Sequence, residues 1–193
     1  MGLDRDPMML AFAEDKLASL SAGSDPPPFT LHHSSYADLP QVLKSLGLSQ
    51  IDRLLVDLGL SSDQLADRKR GFGFDAGGPL DMRFDTRSGN SAAEFLNTAT
   101  SDEIARVFRE WGEEPAAEML AQAIVSGRKF EPIQSAADLV RVVERFHKVR
   151  DTGSHPATRV FQALRIHVNR ELDQLVQFLE QVLPTCLAPG GRA

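Results

Sequence analysis

A single cysteine, Cys186, is all the chain has for thiol chemistry. That excludes an internal disulfide and a cysteine-built zinc centre, and it points to a reducing compartment. Long apolar runs are also lacking. The longest, such as Leu54-Leu55-Val56, are strand-sized, far short of the roughly 20 residues a membrane helix needs, so no membrane span is expected. No basic stretch followed by an apolar segment opens the sequence, and no secretory signal is expected. Positive charge is in deficit: 21 Lys and Arg stand against 27 Asp and Glu, a net charge of -6. This argues against a non-specific nucleic-acid binder, whose affinity comes from neutralising many phosphates. It leaves room for local basic groups, of which Arg68-Lys69-Arg70 and the set Arg159, Arg165 and Arg170 are the candidates. The five histidines show no metal-ligand spacing, so no metal site is expected. Neither a Gly-rich phosphate loop before a helix nor a G-x-S-x-G nucleophile turn occurs.

What is present is ordinary for a globular chain: 42% hydrophobic and 25% charged residues over 193 positions, enough for one domain or one and a half. Asp6-Pro7 reads as a helix start, Asp at the N-cap and Pro at the first helical position, followed by Leu10, Ala13, Leu17 and Leu20 at helical spacing. Residues 21–28 read as a turn-rich loop and 29–32 as a short strand. Leu39, Val42, Leu43 and Leu46 form a helical stripe ending at Gly47. Residues 51–58 (IDRLLVDL) read as a buried strand, so the first half looks α/β. Residues 59–90 are rich in Gly, Asp, Ser and Arg and lack periodicity; a loop that long inside a domain is usually functional or disordered. The remainder reads as helical. Thr100 with Glu103 forms a capping box, and Ile104, Val107, Phe108 and Trp111 share a face. A further helix is expected over 114–126, and Ser135 with Asp138 caps another that carries Leu139, Val142, Val143 and Phe146. One long helical segment is expected from His155-Pro156 to just before Pro189-Gly190-Gly191.

Four segments can carry chemistry. In residues 2–7 an acidic residue at a strand end before a helix is where nucleotide-binding α/β folds hold a ribose diol, since a carboxylate accepts both hydroxyl protons; the plain alternative is that Asp4 and Asp6 only cap the helix. In residues 57–65 Asp57 stands at the carboxyl end of the expected strand, beside Gly59 and the polar Ser61, Ser62 and Gln64. Residues 70–83 interleave glycines with Phe72, Phe74, Arg70 and Arg83, a composition suited to backbone turns beside stacked bases; the alternative is a loop pinned to the core by its phenylalanines. In residues 155–172, Thr158, Arg159, Gln162 and Arg165 fall on one polar helical face, with Phe161, Leu164 and Val168 opposite. Arg159 and Arg165 can hold phosphates or pair with carboxylates such as Asp81 and Asp85, or remain solvated.

Taken together, LDRDP (3–7), LLVDLGLSSDQL (54–65), RGFGF (70–74), GPLDMR (78–83), WGEE (111–114), AIV (123–125), HPATRVFQALRIHVN with EL (155–169, 171–172) and LAPGGR (187–192) resemble, in order and over essentially the whole chain, the ribosomal small-subunit RNA methyltransferase H (MraW-like) family. The resemblance implies an α/β fold, a partial Rossmann-like S-adenosylmethionine-dependent methyltransferase domain with an inserted all-helical domain. It places the first part of that domain at 1–97, the insert at 98–150 and the return at 151–193. It implies methylation of the N4 amine of a cytidine in small-subunit rRNA, with S-adenosyl-L-methionine as cofactor, the rRNA or ribosomal subunit as partner, and a cytoplasmic location. Asp4 then looks like the ribose-binding acid, Tyr36 the aromatic beside the adenine, and Asp57 and Gln64 the remaining cofactor contacts. Asp57 is also the candidate catalytic acceptor, since an N4 amine whose lone pair is delocalised into the ring needs its N–H held and its lone pair aimed. Arg70, Arg83, Arg159 and Arg165 are candidate RNA contacts, and the target base must be splayed from its stack.

The family pattern also has a strand and Gly-rich loop ahead of LDRDP and further strands after LAPGGR. The expectation is therefore a chain truncated at both ends, binding cofactor weakly or not at all, with the strand over 51–58 deprived of both neighbours. The alternatives are a non-catalytic remnant that binds RNA or protein through the helical insert, and a divergent enzyme completed by a partner chain.

Overall fold

A computed structural model describes residues 1–21, 28–74, 77–146 and 155–193. In chain order the elements are β1 (Gly2–Asp4), α1 (Pro7–Ser21), β2 (Leu31–His33), a 3-10 turn (Tyr36–Asp38), α2 (Leu39–Ser45), β3 (Ile51–Arg53), α3 (Ser62–Ala66), α4 (Ala92–Thr98), α5 (Ser101–Gly112), α6 (Ala117–Gly127), α7 (Ala136–Glu144), α8 (Thr158–Asn169), α9 (Glu171–Gln177), a π-helical stretch (Phe178–Val182), α10 (Leu183–Cys186) and β4 (Leu187–Arg192). They form a mixed helix and strand architecture in two compact units: Met1–Leu58 with Leu172–Ala193, and Gly59–Glu171. The helical insert expected at 98–150 lies, where described, inside the second. No helix among the described residues is long and apolar enough to cross a membrane.

In the first unit two short parallel pairs form, β1 with β2 and β3 with β4. The Asp6-Pro7 helix start is borne out: the Met8 amide donates to Asp6 Oδ1 at 3.0 Å. The small core is Leu39 and Leu43 of α2 against Phe178, Val182 and Cys186. Two expectations are corrected here. The strand over 51–58 is paired only across Ile51–Arg53, with one further bond from the Leu54 amide to the Arg192 carbonyl at 2.9 Å. Nor does it lack both neighbours, because residues 187–192 run alongside it as β4. The register slips between Ile51↔Leu187 and Arg53↔Arg192, an irregularity in the Pro189-Gly190-Gly191 stretch, where Pro has no amide to donate. Beyond Arg53 the side chains still alternate: Leu54 and Val56 pack on the core, whereas Leu55 is 92% exposed and Asp57 is exposed. The expected turn-rich loop falls almost wholly on 22–27, outside the described residues.

The second unit is a helical core built on Phe108, Leu120, Leu139 and Leu164. The capping boxes at Thr100/Glu103 and Ser135/Asp138 form as expected, and Ser91/Glu94 and Ser61/Gln64 form two more. The single long helix expected from residue 155 is corrected: α8 ends at Asn169, where Arg170 takes a left-handed backbone (φ 51) and its amide closes onto the His167 carbonyl at 3.1 Å. Helices α5 and α8 meet across Gly112, at which a Cβ would lie 2.5 Å from the Arg159 carbonyl oxygen. Gly112→Ala is therefore expected to destabilise this unit by roughly 1–3 kcal/mol, seen as a lower urea midpoint. A variant more stable than the parent, as helix propensity alone would give, would show that the helices separate at no cost.

Candidate functional site

The first unit holds Asp4, Tyr36 and Asp57. Asp4 is the last residue of β1, and Tyr36 follows β2 by three positions, so both stand at the carboxyl edge of a parallel pair joined by a helix. That is the ligand edge of open α/β sheets. Asp4 is half-buried. Its Oδ1 accepts from the Asp6 amide at 2.7 Å, and its carbonyl accepts from the Ser34 amide at 3.0 Å. Burial lifts the Asp4 carboxyl above the ordinary aspartate range; the Asp6 amide opposes the lift and the Asp6 charge adds to it. Stability contributed by such a group is present below the ordinary aspartate range and lost as pH rises through its raised value, so a donor brought to the ionised carboxylate has something to repay. Tyr36 packs edge-on to Phe178, ring centres 5.2 Å apart. Ser35, which sequence reasoning missed, sets this turn: its Oγ accepts from the Ala37 amide at 3.1 Å and donates to Gln174 Oε1. The legible signal was a serine immediately before the turn residues, the usual side-chain cap. Asp57 does not stand at a strand end, as the sequence suggested, but four residues past β3, exposed to solvent.

The second unit holds Gln64 and the four arginines. Gln64 is 4% exposed, and its Oε1 accepts from the Ser61 amide at 3.0 Å while Ser61 Oγ accepts from the Gln64 amide. Three arginines are committed within the fold. Arg70, 9% exposed, lies over the Phe72 ring and donates through Nη2 to the carbonyls of Arg83 and Phe84 at 2.7 and 3.0 Å. Arg83 grips both oxygens of Asp81 through Nε and Nη2 (2.8 and 2.7 Å) and reaches the Gly89 carbonyl through Nη1. Arg165 pairs bidentately with Glu171 at 2.8 and 3.1 Å. Of the alternatives open to the helix arginines, pairing with Asp81 or Asp85 is not the one taken: Asp81 is held by Arg83 and Asp85 by Arg87, each only two residues away. Arg159 is exposed, with one 3.2 Å bond to the Glu113 carbonyl.

The described parts of this loop, 70–74 and 77–84, are pinned, as the plainer reading of its phenylalanines had it. Phe72 is buried in the core, and Phe74 stacks on His155 and meets Phe161 edge-on. Gly71 has φ 72, and a Cβ there would meet the Pro79 carbonyl oxygen at 2.6 Å. Met82, 1% exposed, also has positive φ (62), an uncommon state for a non-glycine residue. Asn169, at the end of α8, holds it there: Nδ2 donates to the Met82 carbonyl at 2.7 Å, and Oδ1 accepts from the Phe84 amide at 2.7 Å. A clamp between residues 85 apart has no local sequence signal. No group of three or more His, Cys, Asp or Glu that could hold a metal occurs among the described residues.

The profile of the MraW methylase family matches residues 1–193. Proteins named ribosomal RNA small subunit methyltransferase H are similar to the chain throughout. The one from Janthinobacterium sp. (strain Marseille) is 47% identical over 95% of the chain and 57% of its own length. That from Methylibium petroleiphilum is 45% identical over 100% of the chain and 59% of its own. That from Thermomicrobium roseum is 49% identical over 83% of the chain and 49% of its own. The chain thus spans less than two thirds of the length of these curated relatives.

Two outcomes are expected from the clamp and its ion pair. Asn169→Ala leaves the Met82 carbonyl and Phe84 amide without this partner, and at roughly 1–3 kcal/mol per orphaned group it should shift the denaturation midpoint well beyond a surface substitution. An unshifted midpoint would dissolve the clamp. Burial works to raise the Asp81 carboxyl, but the hydrogen bonds and charge of Arg83, with Arg70 behind it, hold it below the ordinary aspartate range. Its contribution is therefore present above that range and lost as pH falls through the lowered value. Stability of the second unit should drop in acid, and Asp81→Asn should flatten that drop in a pH series of denaturation midpoints.

Proposed function

The chain belongs to the MraW methylase family, a family of methyltransferases, and from this membership we propose that it serves S-adenosylmethionine-dependent methylation of a cytidine N4 amine in small-subunit rRNA. The observation that carries this reading is Asp4 at the carboxyl end of β1 with Tyr36 just past the parallel β2. The donor set fits an adenosyl group. A half-buried carboxylate accepts from a ribose diol, and an aromatic ring on the neighbouring strand end offers its face or edge to a purine. S-adenosylmethionine, when bound, supplies the electrophilic methyl group. The chain's residues bind and orient: Asp4 takes the ribose hydroxyls and Tyr36 lies against the adenine. Asp57 accepts an N–H of the target amine and turns its lone pair toward the incoming carbon, the kind of positioning that supplies much of the acceleration in such transfers. Its exposure suits an acceptor that must meet a base arriving from solvent. Among the arginines, Arg159 is free enough to take a phosphate, while Arg70, Arg83 and Arg165 act on RNA through the loop and helix end they hold. In this reading 98–150 is the helical insert of the family and 1–97 with 151–193 belong to the Rossmann-like methyltransferase domain.

The test is calorimetric titration of S-adenosylmethionine into the chain. Asp4→Asn removes a charged acceptor and should weaken binding about tenfold or more, since hydrogen bonds to charged groups are worth roughly 1.5–3 kcal/mol. Binding that is absent in the parent chain, or equal in the two proteins, would remove Asp4 from the site. In a preparation that methylates small-subunit rRNA, Asp57→Ala should lower kcat far more than Asp4→Ala at saturating cofactor, because one group touches the reacting amine and the other the cofactor. Equal losses would contradict the two roles.

A further inference from the structure

A cavity of about 210 Å³ opens between α6 and α7, lined in part by Ile124, Arg128, Phe130, Glu131, Arg141 and Arg145. Neither the cofactor reading nor the candidate site uses any of these residues. The volume is below the roughly 300–1,000 Å³ of pockets that take a whole ligand, so it suits one flat group carried by a longer molecule. At its mouth the Phe130 ring is 91% exposed. A single exposed apolar side chain is ordinary on a protein surface; what distinguishes this one is its place on a cavity lined by arginines. The Phe130 ring is not on a loose tail. Its amide and the next one, of Glu131, both close onto the Gly127 carbonyl at 2.9 and 3.0 Å, so a turn after α6 fixes where it stands.

The charge around the ring is of one predominant sign. Three arginines line the cavity against two carboxylates, Glu131 and Asp138, and the exposed Lys129 precedes Phe130, in a chain whose net charge is -6. The residues have separable tasks. Arg128 is structural, its Nη1 donating to the Leu96 and Ala99 carbonyls at 2.7 Å each. Arg141 is held by Asp138 at 2.5 Å and by Glu131 at 3.4 Å. Arg145, which lines the cavity, and Lys129, next to Phe130 in the chain, are exposed cations. An exposed aromatic face flanked by cations that can track a backbone is the arrangement by which single-stranded nucleic acid is held: the base stacks on the ring and its phosphates meet the charges. An acidic peptide would satisfy the cations without requiring the Phe130 face, whereas every nucleotide of a single strand brings a flat base and a phosphate together.

We propose that this cavity is a docking site for one unstacked base of single-stranded RNA, with Phe130 as the stacking platform and Arg145 and Lys129 as phosphate contacts. The proposal rests on the rRNA substrate reading above and adds a subsite to it. The test measures fluorescence anisotropy of a labelled short single-stranded RNA of mixed sequence with the full chain, over a series of salt concentrations. Phe130→Ala should weaken binding roughly five- to a hundredfold, the range for losing one stacked base, without changing the salt slope. Arg145→Ala should lower that slope by about 0.7, the mark of one phosphate contact on a single strand. Phe12→Ala, which removes a half-exposed ring from α1, should leave binding unchanged. The proposal is overturned if Phe130→Ala binds like the parent, if an RNA duplex of the same sequence binds as well as the single strand, or if the intact chain binds no RNA. It also falls if an acidic peptide is held where RNA is not. Failure here alongside intact Asp4-dependent S-adenosylmethionine binding leaves the methyltransferase reading standing, whereas failure of the cofactor titration alone leaves an RNA-docking surface without that chemistry.

Discussion

Buried backbone must find partners, and in this chain the requirement bears hardest on the irregular segment between α3 and α4. Regular elements satisfy their own amides and carbonyls; a buried loop cannot. Here two polar side chains do it instead. Arg70 caps the carbonyls of Arg83 and Phe84, and Asn169 takes the Met82 carbonyl and the Phe84 amide. The Met82 amide closes back onto the Arg70 carbonyl at 2.8 Å, and the amides of Ala92 and Ala93, at the start of α4, bond Asp81 and Leu80. With those bonds made, Met82 can be held at positive φ and Phe72 can sit in the core. Without them, burying Phe72, Leu80 and Met82 would leave backbone groups of residues 82–84 unpaired.

That constraint decides what the charged residues are able to do. An arginine buried against two carbonyls is part of the scaffold, however well its neighbours resemble a nucleic-acid contact. Arg83 and Arg165 are bound bidentately to carboxylates, the strongest geometry such a pair has. Exposed cations of the second unit include Arg68, Lys69 and Arg106 as well as Arg159 on α8, Lys129 after α6 and Arg145 at the end of α7.

The first unit works with much less. Its strands are three to six residues long and pair two by two, and its core is five fully buried side chains with a partly buried fringe. What it does fix firmly is the end of β1. The Asp4 carboxyl accepts from the Asp6 amide, Asp6 in turn caps α1, and the Asp4 carbonyl is tied to the residue that follows β2. A carboxylate held this way keeps its position while its charge remains poorly solvated, which is the state in which a hydroxyl donor is worth most.

The sequence by itself determined the local events. Helix starts at Asp6-Pro7, Thr100/Glu103 and Ser135/Asp138 were legible because a cap and the amides it satisfies lie within three residues of one another. The apolar face of α5 was legible because its period is that of the helix. Family order among eight short strings was enough to identify the kind of protein. Only the tertiary structure decided how far 51–58 pairs, since the strand beside it lies more than 130 positions downstream and its bonds depend on where Pro189 interrupts them. It alone divided the expected long helix at Arg170, where a left-handed residue turns the chain with no glycine to announce it. It alone turned Arg70 and Gln64 inward, because whether a polar side chain meets solvent or a buried backbone group depends on which segments fold over it, and that is settled by packing between residues that the sequence holds far apart.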